Sequence, residues 1–252
     1  MSEFFIPLHL TPGINGVYIR NLCGTDELSV ESKGLSDVLN FLDSLIIKDG
    51  NGKKINASEI VTADRDRLIA MLYISLYGHK IESTLICKNC DQKFDLDFSL
   101  YDLLNHYKPD PLTVTQNGTY EVESGINFRF PTGEDEKSVI GLSQSEAEKM
   151  LLGRCLLKGN PESNNEKVQL KMAEIAPVLN IEMQATCPEC NYSQETRFDI
   201  QSFFLMKLIL EKTLLIREIH YIASKYNWSL NEIVSLPRNL RKKFAALIQS
   251  EN

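Results

Sequence analysis

Two short cysteine pairs, CKNC at Cys87–Cys90 and CPEC at Cys187–Cys190, constrain this chain more than any other feature. A CxxC turn points backbone amides at two sulfurs and offers two thiolates, half the ligand set of a closed tetrahedral zinc site. Two such turns complete one another. Almost a hundred residues separate them, but closing a loop of that length costs only about 4 kcal/mol. A structural zinc contributes roughly 10–16 kcal/mol at neutral pH, so the separation is no obstacle. A thioredoxin-like redox centre fits poorly, because its CxxC opens a helix, whereas CKNCDQKFDLDF runs into a strand. A catalytic zinc would need an open position that four cysteines do not leave. Unmetallated buried pairs are the bland alternative. The reading is one structural zinc per chain, held by Cys87, Cys90, Cys187 and Cys190.

The surrounding sequence predicts short strands and helices, an α+β fold. Asp37–Ile47 and Thr62–Gly78 have apolar residues at helical spacing, with Thr62 as the expected cap of the second helix. Phe94, Leu96 and Phe98 alternate with aspartates, the pattern of a half-buried strand. GTYEVES and INFRFPTG read as a β-hairpin about Ser124–Gly125. Capping boxes at Ser143 or Ser145 and at Ser229 open further helices, and KGNPESNNEK reads as an exposed loop before a helix over 166–179. A long helix is expected over 201–226 and a last one after Pro237. This gives an N-terminal strand and helices (1–80), paired knuckles (81–100 and 181–200) forming one zinc-ribbon-like unit, a hairpin-and-helix insertion (101–180) and C-terminal helices (201–252). Each knuckle has strand-like runs on both sides and a helix after it, a weak internal duplication.

Other features exclude more than they assign. The net charge of −7 opposes a role in gripping phosphate backbones. No run approaches the ~20 apolar residues of a membrane span. The start MSEFFIPLHLTPG carries no secretory pattern, so a cytoplasmic protein is expected. No phosphate loop, HExxH or nucleophile elbow occurs. Asp64 and Asp66 read as a charged first helical turn. Arg238, Arg241, Lys242 and Lys243 read as a solvated face or a docking patch for an acidic protein, ahead of a nucleic-acid contact. Cys23 and Cys155 read as buried thiols, and His79 or His106 as weak substitutes for a cysteine ligand. In FFLMKLILEKTLLIREIHYI large apolar residues occupy nearly every side, which hints at burial by a partner subunit.

The ordered set LCGTDELSV, VTADRDRLIAMLYISLYGHKIESTLICKNC, RFPTGEDE, LLGRCL, CPEC and EIHYIASKYNWSLNEIVSLPRNLRKKFAALI resembles a baseplate protein family of contractile-tailed phages. That family includes T-even-type hub assembly proteins and counterparts in phage-derived contractile injection systems. The resemblance implies a non-enzymatic structural or chaperone-like part of the baseplate, with hub, spike or wedge proteins as partners. It also implies residence in the cytoplasm during assembly and in the particle afterwards. His220, Tyr226, Trp228, Pro237 and Arg238 are the candidate partner contacts, with packing of Trp228 between its flanking helices as the competing reading. A zinc-ribbon module that binds nucleic acid or regulates is the alternative function.

Overall fold

The computed structural model describes residues 3–109, 113–115, 117–123 and 125–250. Among the described residues, helices and four small antiparallel sheets make up an α+β fold. It divides into two compact units, Met1–Pro7, Asn15–Ala57 and Ser202–Asn252 in the first, Leu8–Ile14 and Ser58–Gln201 in the second.

The first unit begins with β1 (Glu3–Pro7), β2 (Gly16–Arg20), α1 (Gly24–Ser29), α2 (Leu35–Leu45) and β3 (Ile46–Asp49), the strands ordered β1-β2-β3. Val17 and Ile19 on the central strand are fully buried, and α2 buries a stripe of Val38, Leu39, Phe41, Leu42 and Leu45. The expected helix over 37–47 ends early because β-branched Ile46 and Ile47 enter β3.

The second unit contains α3 (Thr62–Tyr77), β4 (Lys80–Ile86), β5 (Lys93–Ser99), α4 (Leu100–His106), β6 (Tyr120–Glu123), β7 (Ile126–Phe128), α5 (Gly133–Lys137), α6 (Gln144–Cys155), β8 (Leu156–Lys158), α7 (Pro161–Ile175), β9 (Asn180–Thr186) and β10 (Ser193–Asp199). The expected hairpin is β6–β7; Ser124 lies outside the described residues. Helix α7 starts inside the stretch read as loop, with Pro161 in the first helical position that proline suits. Val61, not Thr62, caps α3. Asp64 and Asp66 are not solvated. Asp64 accepts the amides of His9, Leu10 and Thr11 at 3.0, 2.8 and 2.8 Å and the Thr11 hydroxyl at 2.8 Å. Asp66 accepts the Leu179 amide at 2.7 Å and the Gln201 side chain; burial nevertheless raises its pKa to about 6. Two carboxylates on different sides of one helix thus fasten two distant segments.

The chain returns to the first unit through α8 (Ile200–Tyr226), α9 (Leu230–Val234) and α10 (Arg238–Ser250). Behind this order lies a duplication wider than the knuckles. VYIRNLCGTDE (17–27) and INFRFPTGEDE (126–136) build the same turn. Arg20 grips Asp26 with both guanidinium nitrogens at 2.7 and 2.6 Å, and Arg129 grips Asp135 at 2.6 and 2.9 Å. Each carboxylate also accepts the amide of the capping residue, Cys23 or Thr132, and a donor from the next helix, Ser44 or Arg154. Even the bulge recurs, between Tyr18 and Ile19 and between Asn127 and Phe128. A helix docks on each turn. In the first unit the Arg238 amide donates to Leu22 and Arg241 pairs with Glu27; in the second the Thr62 amide donates to Pro131 and Arg65 pairs with Glu136. Gly24 is required there, since a Cβ would stand 3.0 Å from Val234 Cα.

The basic residues of α10 are therefore redistributed. Arg238 and Arg241, expected on a solvated or docking face, are 4% and 0% exposed and held by Glu27, Glu211 and Glu218. The acidic partner is the chain itself. Asp135 gives a testable consequence. Burial alone would raise its pKa, but Arg129, the Thr132 amide and Arg154 hold it well below the usual carboxylate range. Its contribution is complete above about pH 4, where an unfolded aspartate is ionised, and is lost as pH falls, because the unfolded chain then takes up the proton first. Asp135→Asn should cost about 2–4 kcal/mol at pH 7 in urea melts, with the gap to wild type closing towards pH 2–3. A gap independent of pH would remove the carboxylate from this role.

Candidate metal centre

Strands β4 and β5 pair from Lys80↔Ser99 to Ile86↔Lys93, and β9 and β10 from Asn180↔Asp199 to Thr186↔Ser193. Every position in one hairpin matches the other at an offset of 100 residues, 87 to 187 and 90 to 190. At each tip the first cysteine donates its amide across the turn at 2.9 Å, to Gln92 or Tyr192, and accepts from Asp91 at 3.0 Å or Asn191 at 2.9 Å. Asp91 and Asn191 have φ of 56° and 57°, the left-handed conformation that these two short polar residues tolerate best after glycine. The residue type required by the turn is present in both copies.

The hairpins meet through small apolar contacts. Phe98 and Phe198 pack edge-to-face with centroids 5.0 Å apart, and Phe94 and Ala185 are buried with Cys87 and Cys187. Gln194, 6% exposed, bridges to the other tip, accepting the Lys88 amide at 2.8 Å and donating to the Ile86 carbonyl at 3.1 Å. No sequence rule separates such a glutamine from any other on a strand.

This framework brings all four sulfurs together. Cys87 Sγ lies 3.6 Å from Cys190 Sγ and Cys90 Sγ 3.8 Å from Cys187 Sγ, and the four ligand atoms lie within 4.8 Å of one another. Tetrahedral Zn–S bonds of 2.3 Å would place sulfurs about 3.8 Å apart. Disulfides would need about 2.05 Å, and all six cysteines are free. Asn89 donates its backbone amide to Cys87 Sγ at 3.4 Å and its side chain to Cys190 Sγ at 3.6 Å, contacts suited to thiolates. The Asn89 side chain and the Tyr192 amide draw the Cys190 thiol down to about 7. At Cys90 the Gln92 amide pulls the same way, but desolvation and the three neighbouring sulfurs push the thiol up to about 12. Four crowded sulfurs titrate as one interacting group. Four cysteines from two distant segments are positioned to hold a metal ion.

The other candidates lie elsewhere. His79 stacks on Tyr101 and His106 meets Tyr107 edge-on, and neither belongs to the sulfur cluster. Cys155 is buried and its thiol rises to about 11 by desolvation, whereas Cys23 is half-buried, with Sγ 3.1 Å from an Asp26 carboxylate oxygen. Trp228 is half-buried against Phe244, with Tyr226 stacked on it at 5.3 Å. Pro237 forms an isolated bridge with Cys23, and Arg238 is buried. His220 and Tyr226 are exposed. Sequence reading missed the two Arg–Asp turns, although the repeated R-x5-D with glycine two residues before the aspartate was available as a signal.

A family model described as T4 bacteriophage base plate protein matches residues 20–158. No curated protein and no solved structure matches the chain. Among the described residues no helix is long and apolar enough to cross a membrane.

The Gln194 bridge can be tested without reference to any metal. Gln194→Ala leaves the Lys88 amide and Ile86 carbonyl without partners, at about 1–3 kcal/mol. A fall in melting temperature of about 2–10 °C is expected by calorimetry. An unchanged melt would mean that the tips are held without it.

Proposed function

With a match over more than half of its length, the chain belongs to the T4 bacteriophage base plate protein family, and from this we propose that it is a non-catalytic structural or assembly protein of a phage-tail or contractile-injection baseplate, braced by one structural zinc. The observation that carries the reading is the family match combined with four converging sulfurs. Cys87, Cys90, Cys187 and Cys190 would supply all four ligands, filling the tetrahedral set. The zinc would join two hairpins that lie on either side of the β6–α7 insertion and so fix where α4 and α8 begin. The hairpin pair is then a zinc-ribbon-like unit assembled from the two halves of the chain.

Partners in this reading are hub, spike or wedge proteins of the same particle. Of the residues first chosen for contact, His220 and Tyr226 are available at the surface, Trp228 and Pro237 are half-buried, and Arg238 is occupied by Glu27 and Glu211. Copurification with co-expressed hub or wedge components tests the assembly role; failure to bind any of them would contradict it while leaving the metal untouched.

The metal has its own tests. Elemental analysis should give one zinc per chain, and a strong chelator at neutral pH should lower the melting temperature. Cys87→Ser and Cys187→Ser should be destabilised alike. The double variant should lose little more than either single one, because the first loss already breaks the shared site. Additive losses, or a Cys187→Ser protein that retains zinc and its melting temperature, would overturn the shared centre.

A further inference from the structure

Helices α4 and α8 each follow a knuckle at the same offset, beginning at Leu100 and Ile200, yet α8 has 27 residues and α4 only seven. Pro109 explains the difference, since the residue before a proline disfavours helix and proline itself cannot continue one. In the first unit the long helix covers α2. Phe204 meets Phe41 edge-on with centroids 5.6 Å apart, and Val38, Phe41, Leu42, Phe204, Leu205 and Leu208 are all buried.

Helix α6 is the counterpart of α2 in the second unit. Ser44 and Arg154 reach equivalent carboxylates at 3.0 and 2.9 Å, which sets Leu151 against Phe41 and Leu152 against Leu42 at an offset of 110 residues (44 to 154, 41 to 151). Among the described residues α4 ends too early to cover α6 as α8 covers α2, and α7 packs beside it. A cavity of about 440 Å³ lies beside α6, walled by Leu151, Leu152, Phe130, Met172, Ala176 and Tyr107, the C-terminal cap of α4. Its size is that of a recognition cleft, not a packing defect.

We propose that this cleft receives α8 of a second copy of the chain, through the stripe Met206, Leu210 and Leu214. These residues are 38%, 72% and 47% exposed, recur every four positions, and lie on the side of α8 opposite Phe204 and Leu208. The same chain therefore carries an uncovered apolar cleft and an uncovered apolar helical face, and the cleft's counterpart already binds this helix through its other side. Charge agrees: Glu148 is the charged residue among the described lining residues, and exposed Arg217 extends the stripe. The contact is heterologous, so it propagates from copy to copy into a ring or an open filament. It does not depend on the baseplate assignment or on zinc.

Sedimentation velocity of the full chain up to about 100 µM tests it. Wild type should associate with rising concentration. Leu210→Asp on the stripe and Ala173→Arg on the cleft rim, both at exposed positions, should each weaken association more than about tenfold. An equimolar mixture of the two variants should form dimers and stop there, because only one intact stripe and one intact cleft remain per pair. Wild type that stays monomeric, variants that associate like wild type, or a mixture that fails to dimerise would each overturn the proposal. Circular dichroism of each variant verifies folding, with Leu214→Asp and Gln169→Arg as replacements.

Discussion

The meeting of the two hairpins depends on the convergence of four sulfurs from segments a hundred residues apart. Two-stranded hairpins are marginal on their own in water, and the apolar contact here is small, chiefly Phe94, Phe98, Ala185 and Phe198. Hydrogen bonds through Gln194 and Asn89 give the pair its registration, but they do not relieve the crowding of four thiols. A divalent cation would, turning mutual repulsion into attraction at distances that the backbone already sets. Because β5 runs directly into α4 and β10 into α8, whatever fixes the hairpins also fixes two helix origins.

The rest of the stability is organised by buried charge used twice. Arg20 with Asp26, and Arg129 with Asp135, shape identical turns; Glu27 and Glu136 then each take an arginine from a docking helix. Such pairs are costly to desolvate and also costly to break, so they specify which helix docks where more than they add net stability. A chain built as two copies need not keep both equal. One copy retains a long last helix that buries its neighbour, while in the other the corresponding helix is short and a cleft lies beside α6.

The convergence of the four cysteines was legible in the sequence because residue type and CxxC spacing are local facts, and loop-closure arithmetic made the long separation harmless. Helices with strong caps were legible for the same reason, as at Ser143 and Ser229. What failed was inference about charge. Asp64 and Asp66 read only as a charged helical turn, and Arg238 and Arg241 as a solvated or docking face, since a single sequence does not reveal that a buried partner waits 55, 113 or 214 positions away. The full duplication was hidden because its two copies share little beyond Arg, Gly, Asp and Glu at fixed spacing, whereas backbone hydrogen bonds expose it at once.

X-ray absorption at the zinc edge of the purified protein tests the central claim most directly. A single shell of four sulfurs at about 2.3 Å is predicted. A shell of two sulfurs with nitrogen or oxygen neighbours would mean that the tips bind separately, and the two hairpins would then need another explanation for their meeting.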